Sequence, residues 1–125
     1  MLGIQAAVLA VAGVLLYADP VRWTSIWPWP LTPLTGQAVA AWLLGTAIGL
    51  VAVIREGDLI RIRPGIIAYA LFGSMELIAV ARYGGDIAWS QPEAWIYVGM
   101  LVSIAFVGWV GLVASKGVPI EKAIA

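Results

Sequence analysis

One carboxylate stands inside an apolar run: Glu76, in Phe72-Gly-Ser-Met-Glu-Leu-Ile78. A charged residue at the centre of a membrane helix costs roughly 2.5–3.5 kcal/mol, and each Leu, Ile, Phe or Val returns about 0.3–0.6. Ile66, Ile67, Leu71, Phe72, Leu77, Ile78 and Val80 are there to offset it. Intramembrane carboxylates mark ion pathways, proton relays or buried partners. Tyr69, Gly73, Val80 and Tyr83 share the Glu76 face at helical spacing, while Arg82 is turned elsewhere. The favoured reading is a carboxylic acid that hydrogen-bonds a neighbouring helix through Gln5 or Ser103 and locks packing. Ion or proton coupling and contact with a partner chain are the alternatives.

The residue inventory removes most other chemistry. The 125 residues include no His and no Cys. That excludes thiolate metal sites, disulfides and cysteine nucleophiles, and removes the usual haem ligand and general base. There is no Gly-rich phosphate loop, metal-ligand spacing or nucleophile–base pair. The expectation is a non-enzyme with no catalytic residue, no metal and no cofactor. Seven basic residues balance seven acidic ones, so no basic field attracts nucleic acid.

The elements that must position Glu76 are apolar segments at about 2–17, 36–54, 65–81 and 94–114. Hydrophobic residues make up 62% of the chain and charged ones 11%, against about 25% charged in soluble domains. None of the segments alternates with period two, so strands are excluded. The expected fold is all-α: a single domain over residues 1–125, a bundle of four transmembrane helices. The first segment lacks a basic n-region and a good cleavage site, and is expected to be retained. Pro64 suits the first turn of the third helix. Ser90-Gln-Pro-Glu93 reads as a capping box. Gly84-Gly85 offers a left-handed stop to the third helix, and Gly117 with Pro119 closes the fourth.

Basic residues set the orientation. Arg55, Arg61, Arg63, Lys116 and Lys122 lie on one side, and only Arg22 and Arg82 on the other. This five-to-two bias puts both termini in the cytoplasm. Glu56 and Asp58 dilute the loop arginines, which makes them an orientation signal and not a lipid-recognition cluster. Trp23, Trp27, Trp29, Trp89 and Trp95 gather on the opposite side, where amphipathic rings suit the headgroup layer. Prolines stiffen the stretch Trp23–Leu34 into an extended aromatic loop. Anchoring in the interface accounts for this loop best; stacking of a quinone, carotenoid or lipid headgroup is the alternative. Tyr17 to Trp23 and Tyr83 to Trp89 share one spacing, as two helical hairpins in parallel repeat would, although interfacial aromatics recur by chance equally well.

Small residues form two stripes. Ala41, Gly45 and Gly49 recur every four residues in the second segment; Gly99 and Ser103, then Gly111 and Ser115, do so in the fourth. Such faces allow close helix approach. Packing within the chain is the favoured use, and a partner-docking face the alternative.

The run Trp27-Pro-Trp-Pro-Leu-Thr-Pro-Leu-Thr35, with Ala40-Ala-Trp-Leu-Leu-Gly45, Arg61-Ile-Arg-Pro-Gly65 and Ala68-Tyr-Ala-Leu-Phe-Gly73, resembles a group of uncharacterised bacterial multi-pass membrane proteins. The resemblance covers about the middle half of the chain. It implies a multi-pass protein of the bacterial inner membrane and no particular activity. The group's members tend to be longer, which on this reading makes the chain a shortened relative. Small multidrug exporters carry their membrane carboxylate in the first helix, where this chain has only Gln5. The glycine- and threonine-rich break of small fluoride channels is also missing. The expected role is a non-catalytic accessory or structural subunit of a larger membrane complex, with the bilayer and other membrane subunits as partners. A small homo-oligomeric transporter or channel using Glu76 is the second reading.

Overall fold

The computed structural model describes residues 1–117. Pro119, expected to help close the fourth helix, and Lys122, part of the orientation signal, lie outside them. Helix α1 (Leu2–Ala18) is followed by a short helix α2 (Pro20–Trp23) and a 3-10 turn (Thr24–Ile26). The long helices α3 (Pro33–Glu56), α4 (Arg63–Tyr83) and α5 (Pro92–Lys116) complete the order, with a 3-10 turn (Gly84–Asp86) after α4. No strand occurs among the described residues. Three helices are long and apolar enough to cross a membrane, or four if α1 and the bent segment after it form one broken span. At 1.5 Å per residue, the 17 residues of α1 reach about 26 Å, short of a hydrocarbon core of about 30 Å. The chain then turns by 115° into Pro20–Ile26.

Local chemistry explains the boundaries. Asp19 accepts from the Arg22 amide at 3.2 Å and starts α2, with Pro20 in its first turn. Residues 20–26 are therefore helical turns, and only Trp27 to Thr32 remain of the extended loop expected from Trp23 to Leu34. Helix α3 begins at Pro33, three residues before the expected Gly36. Thr32 and Thr35 form a reciprocal cap: the Thr35 hydroxyl accepts from the Thr32 amide at 2.9 Å, and the Thr32 hydroxyl from the Thr35 amide at 3.2 Å. Gly57, at φ 64°, ends α3 in the left-handed conformation that glycine alone adopts freely.

Two expected caps take another form. Gln91, not Ser90, is the N-cap of α5 and makes no side-chain cap bond. Pro92 takes the first helical position and forces the residue before it to be extended, which leaves Ser90 one residue too early. Gly84 is right-handed at φ −59°, so α4 winds into a 3-10 turn and makes no left-handed stop.

The long helices pack as two hairpins, α1 along α3 and α4 along α5, with only a few residues shared between α1 and α5. Each hairpin closes on glycines. A Cβ on Gly13 of α1 would lie 2.8 Å from Leu44 of α3. On Gly73 it would lie 2.6 Å from the Ala105 amide nitrogen, and on Gly108 2.5 Å from Ala70 Cα. The Gly73 and Gly108 crossings are backbone against backbone, and Gly13 seats the Leu44 side chain; such close packing replaces the hydrophobic effect between helices in lipid. Between the hairpins, Tyr69 and Met100 pack on a small core of Ala6, Leu9, Ala47 and Leu50. The rings of Trp42 on α3 and Phe72 on α4 lie 5.4 Å apart. Ile48, Met75, Ile78 and Val113 are among the many large apolar side chains on the outside. Such a surface suits lipid and not water.

Candidate functional site

Polar side chains meet at two levels between the hairpins. At the first, Gln5 of α1, only 3% exposed, donates from Nε2 to Ser103 Oγ of α5 at 2.9 Å. Its Oε1 accepts from the Tyr69 hydroxyl of α4 at 3.0 Å. Ser103 in turn donates to the Met100 carbonyl at 2.7 Å. One amide thus joins three helices, with both of its ends used.

The second level holds Glu76. Its Oε2 accepts from the Tyr97 hydroxyl of α5 at 3.1 Å. The expected partners Gln5 and Ser103 are instead bound to each other, and Tyr69 goes with them; Glu76 lies two helical turns beyond Tyr69 on the same face, out of their reach. Arg82 lies over the Tyr83 ring, 5.7 Å from its centre. Glu76 pairs with none of the cations among the described residues; the two ion pairs found there join Arg61 to Glu56 and Asp58.

The aromatic loop closes over Tyr97. Trp29 meets the Tyr97 ring edge-on at 4.9 Å, and Trp27 lies 6.3 Å from it. Trp27 and Trp29 are T-shaped at 5.5 Å. The Ala88 amide donates to the Pro28 carbonyl at 2.8 Å, tying the loop of the first hairpin to that of the second. Trp89 and Trp95 form a separate pair: Trp89 Nε1 donates to the Gly84 carbonyl, Trp95 Nε1 to the Trp89 carbonyl, and their rings lie 5.4 Å apart. They stiffen the turn between α4 and α5. Trp23 packs with Arg22 at 5.7 Å.

Between the hairpins lies a cleft of about 630 Å³, lined by α1, α3, α4, α5 and the Trp loop. Glu76 lines it and also a neighbouring cavity of about 450 Å³ that reaches Asp86. Glu93, in the first turn of α5, lines the larger cleft; its Oε2 is buried without a hydrogen-bond partner in the protein, as is Trp27 Nε1. No Lys or Arg among the described residues lines either cavity.

The two small-residue stripes fare differently. Ala41, Gly45 and Gly49 face outward, and a Cβ on either glycine would meet nothing within 4 Å. Gly99 is equally open. Gly111 packs on Ile66, and Ser115 is buried and donates to the Leu112 carbonyl. The residues that bring helices together, Gly13, Ala70, Gly73 and Gly108, escape a search for four-residue spacing. Ala70 with Gly73, and Ala105, Gly108 and Gly111, recur at three, the other helical neighbour spacing. Glu93 was legible only as a cap residue.

No cluster of three or more His, Cys, Asp or Glu able to hold a metal occurs among the described residues. The features are those of a helical multi-pass membrane protein with a buried polar level and an acid-lined cleft. No family model matches the chain, and no curated protein and no solved structure is significantly similar to it.

Proposed function

We propose that the chain crosses the bacterial inner membrane four times, with both termini cytoplasmic, and serves as a non-catalytic accessory subunit of a larger membrane complex. The observation that carries this reading is incomplete packing. Each long helix has one full neighbour within the chain, and the face Ala41–Gly45–Gly49 of α3 is spent on none. A smooth face that nothing in the chain uses admits a foreign helix to close backbone distance. Extraction in a mild detergent with mass spectrometry of co-migrating chains tests this. Gly45→Leu or Gly49→Leu should release the chain from its complex while leaving its own fold intact. A lone monomer on native extraction would end this reading.

The second reading, a small self-associating transporter or channel, draws on Glu76, whose carboxyl borders two cavities. It requires a homo-oligomer and a flux that Glu76→Gln abolishes; the accessory reading requires that this variant still joins its complex.

A further inference from the structure

The inter-hairpin cleft has the makings of a ligand site, whether or not the chain docks against partners. Its volume of about 630 Å³ falls within the roughly 300–1,000 Å³ of pockets that enclose small ligands. Its walls are mostly aliphatic, from Val8 and Val11 of α1 to Ile104 of α5. At the loop end the character changes. Trp27, Trp29 and Tyr97 form three sides of an aromatic cage, with centroid separations of 4.9 to 6.3 Å. Two carboxylates, Glu76 and Glu93, border the same space, and no basic side chain among the described residues accompanies them. The Glu93 Oε2 is buried with no partner in the protein. A buried carboxylate oxygen without a donor is costly to keep. The cleft opens beside α1 and α5, where Val11 and Ile96 are 59% and 68% exposed, so an amphiphile dissolved in the bilayer can enter sideways.

We propose that this cleft binds a lipophilic ammonium compound, its apolar body between the hairpins and its cationic head in the Trp27–Trp29–Tyr97 cage beside Glu93 and Glu76. The charge pattern selects the head. A cation gains from both carboxylates and from the ring faces, which attract positive charge within about 6 Å of their centres. An anion meets only like charge. A hydroxyl or carbonyl next to the ammonium would accept the free Trp27 N–H. The head can come from a free lipophilic amine or from an amine-bearing lipid; the chemistry recognised is the same.

A matched pair of probes reads the charge selection. The protein is embedded in phosphatidylglycerol nanodiscs and titrated with tetraphenylphosphonium and with tetraphenylborate, ions of like size and opposite charge, with empty discs subtracted. Quenching of the native tryptophans reports occupancy. Saturable binding of the cation alone is expected, weakened at least about tenfold by Glu93→Gln, a change of about 1.4 kcal/mol. Ala12→Trp should block the cleft from α1 without touching the cage, and so lower binding even if the Glu93 variant folds poorly. Repeating the titration in phosphatidylethanolamine discs separates the two sources. Competition assigns the head to a lipid amine, and its absence assigns it to a free one. Equal binding of both ions, or cation binding indifferent to both Glu93→Gln and Ala12→Trp, overturns the proposal.

Discussion

Replacing Gly108 by alanine tests whether backbone contact between α4 and α5 sets the shape of the second hairpin. The added Cβ would fall 2.5 Å from Ala70 Cα, 2.6 Å from Ala70 N and 2.9 Å from Ala70 Cβ. Ordinary contact begins near 3.4 Å, so the helices must part by up to 0.9 Å at the crossing. No flexible side chain can yield, because two of the three atoms are backbone and the third is a Cβ. Overpacking of this kind costs about 1–3 kcal/mol. Alanine is the better helix former by up to about 1 kcal/mol, which offsets part of that. The separation would be felt along the hairpin, since Gly73 rests on Ala105 one turn away. Gly45→Ala is the matched control: it carries the same helical gain, and its Cβ enters open space. The assay is thermal unfolding of both variants in one detergent, followed by circular dichroism, beside the parent protein. Gly108→Ala should melt below the parent, and Gly45→Ala at or above it. If Gly108→Ala is as stable as Gly45→Ala, the close crossing is not what holds α4 to α5.

Gln5→Leu removes the amide that joins α1, α4 and α5 and should destabilise the fold by about 1 kcal/mol, since interhelical hydrogen bonds in bilayers average about 0.6 each and two are lost; denaturant titration in mixed micelles reads this, and an unchanged midpoint refutes it. Tyr97→Phe strips Glu76 of its hydrogen bond while Glu76→Gln keeps an acceptor in place, so the tyrosine variant should lose more stability than the glutamine variant; the reverse order in the same titration would show that Glu76 is held by something else. On the proposed topology, which rests on the five-to-two distribution of basic residues, a reporter fused after Ala125 should be active only in its cytoplasmic form. An outward signal from that fusion would invert the topology.

Apolar segment length made the helices legible, because a spanning helix needs a long uninterrupted run whatever its neighbours do. The ends were less so. Pro33 and Pro92 each sit at the first helical position; reading Pro33 as a loop residue moved the start of α3, and reading Pro92 as the second residue of a capping box moved the cap of α5. Glu76 was conspicuous because charge in an apolar run is rare. Its partner was not, because Tyr97 belongs by composition to an interfacial belt and only the crossing of α4 with α5 turns its hydroxyl inward. The outward turn of Gly45 and the inward turn of Gly108 have the same obstacle. Which face of a helix meets protein depends on what else is in the bundle, and with apolar residues all round the sequence holds no moment to tell the faces apart. Gln5 stood out as a polar side chain in an apolar helix and as a partner for Glu76, and the structure gives it Tyr69 and Ser103 instead, both from the second half of the chain.

The distribution of contacts sets an order of stiffness. Within the second hairpin Gly73 and Gly108 set backbone against backbone, and within the first Gly13 seats the Leu44 side chain. Between the hairpins one backbone bond, from the Ala88 amide to the Pro28 carbonyl, joins the loops, and the other links are side-chain groups: the Gln5 amide, the Trp42–Phe72 ring pair, the packing of Tyr69 and Met100, and the rings of Trp27 and Trp29 against Tyr97. Side-chain links change partner with small displacements, whereas close-packed backbones do not. Glu76 and Tyr97 both belong to the second hairpin, so their bond survives any separation of the two halves, and so does the position of Glu93. Gln5 spans the halves and would be the first bond lost. Widening the cleft therefore leaves the acids and Tyr97 fixed on one wall, and it carries Trp27 and Trp29 away only if the bond between Pro28 and Ala88 also breaks. The energy that closes the hairpins comes from that bond, the Gln5 amide, the indoles of the Trp loop and the packing between them.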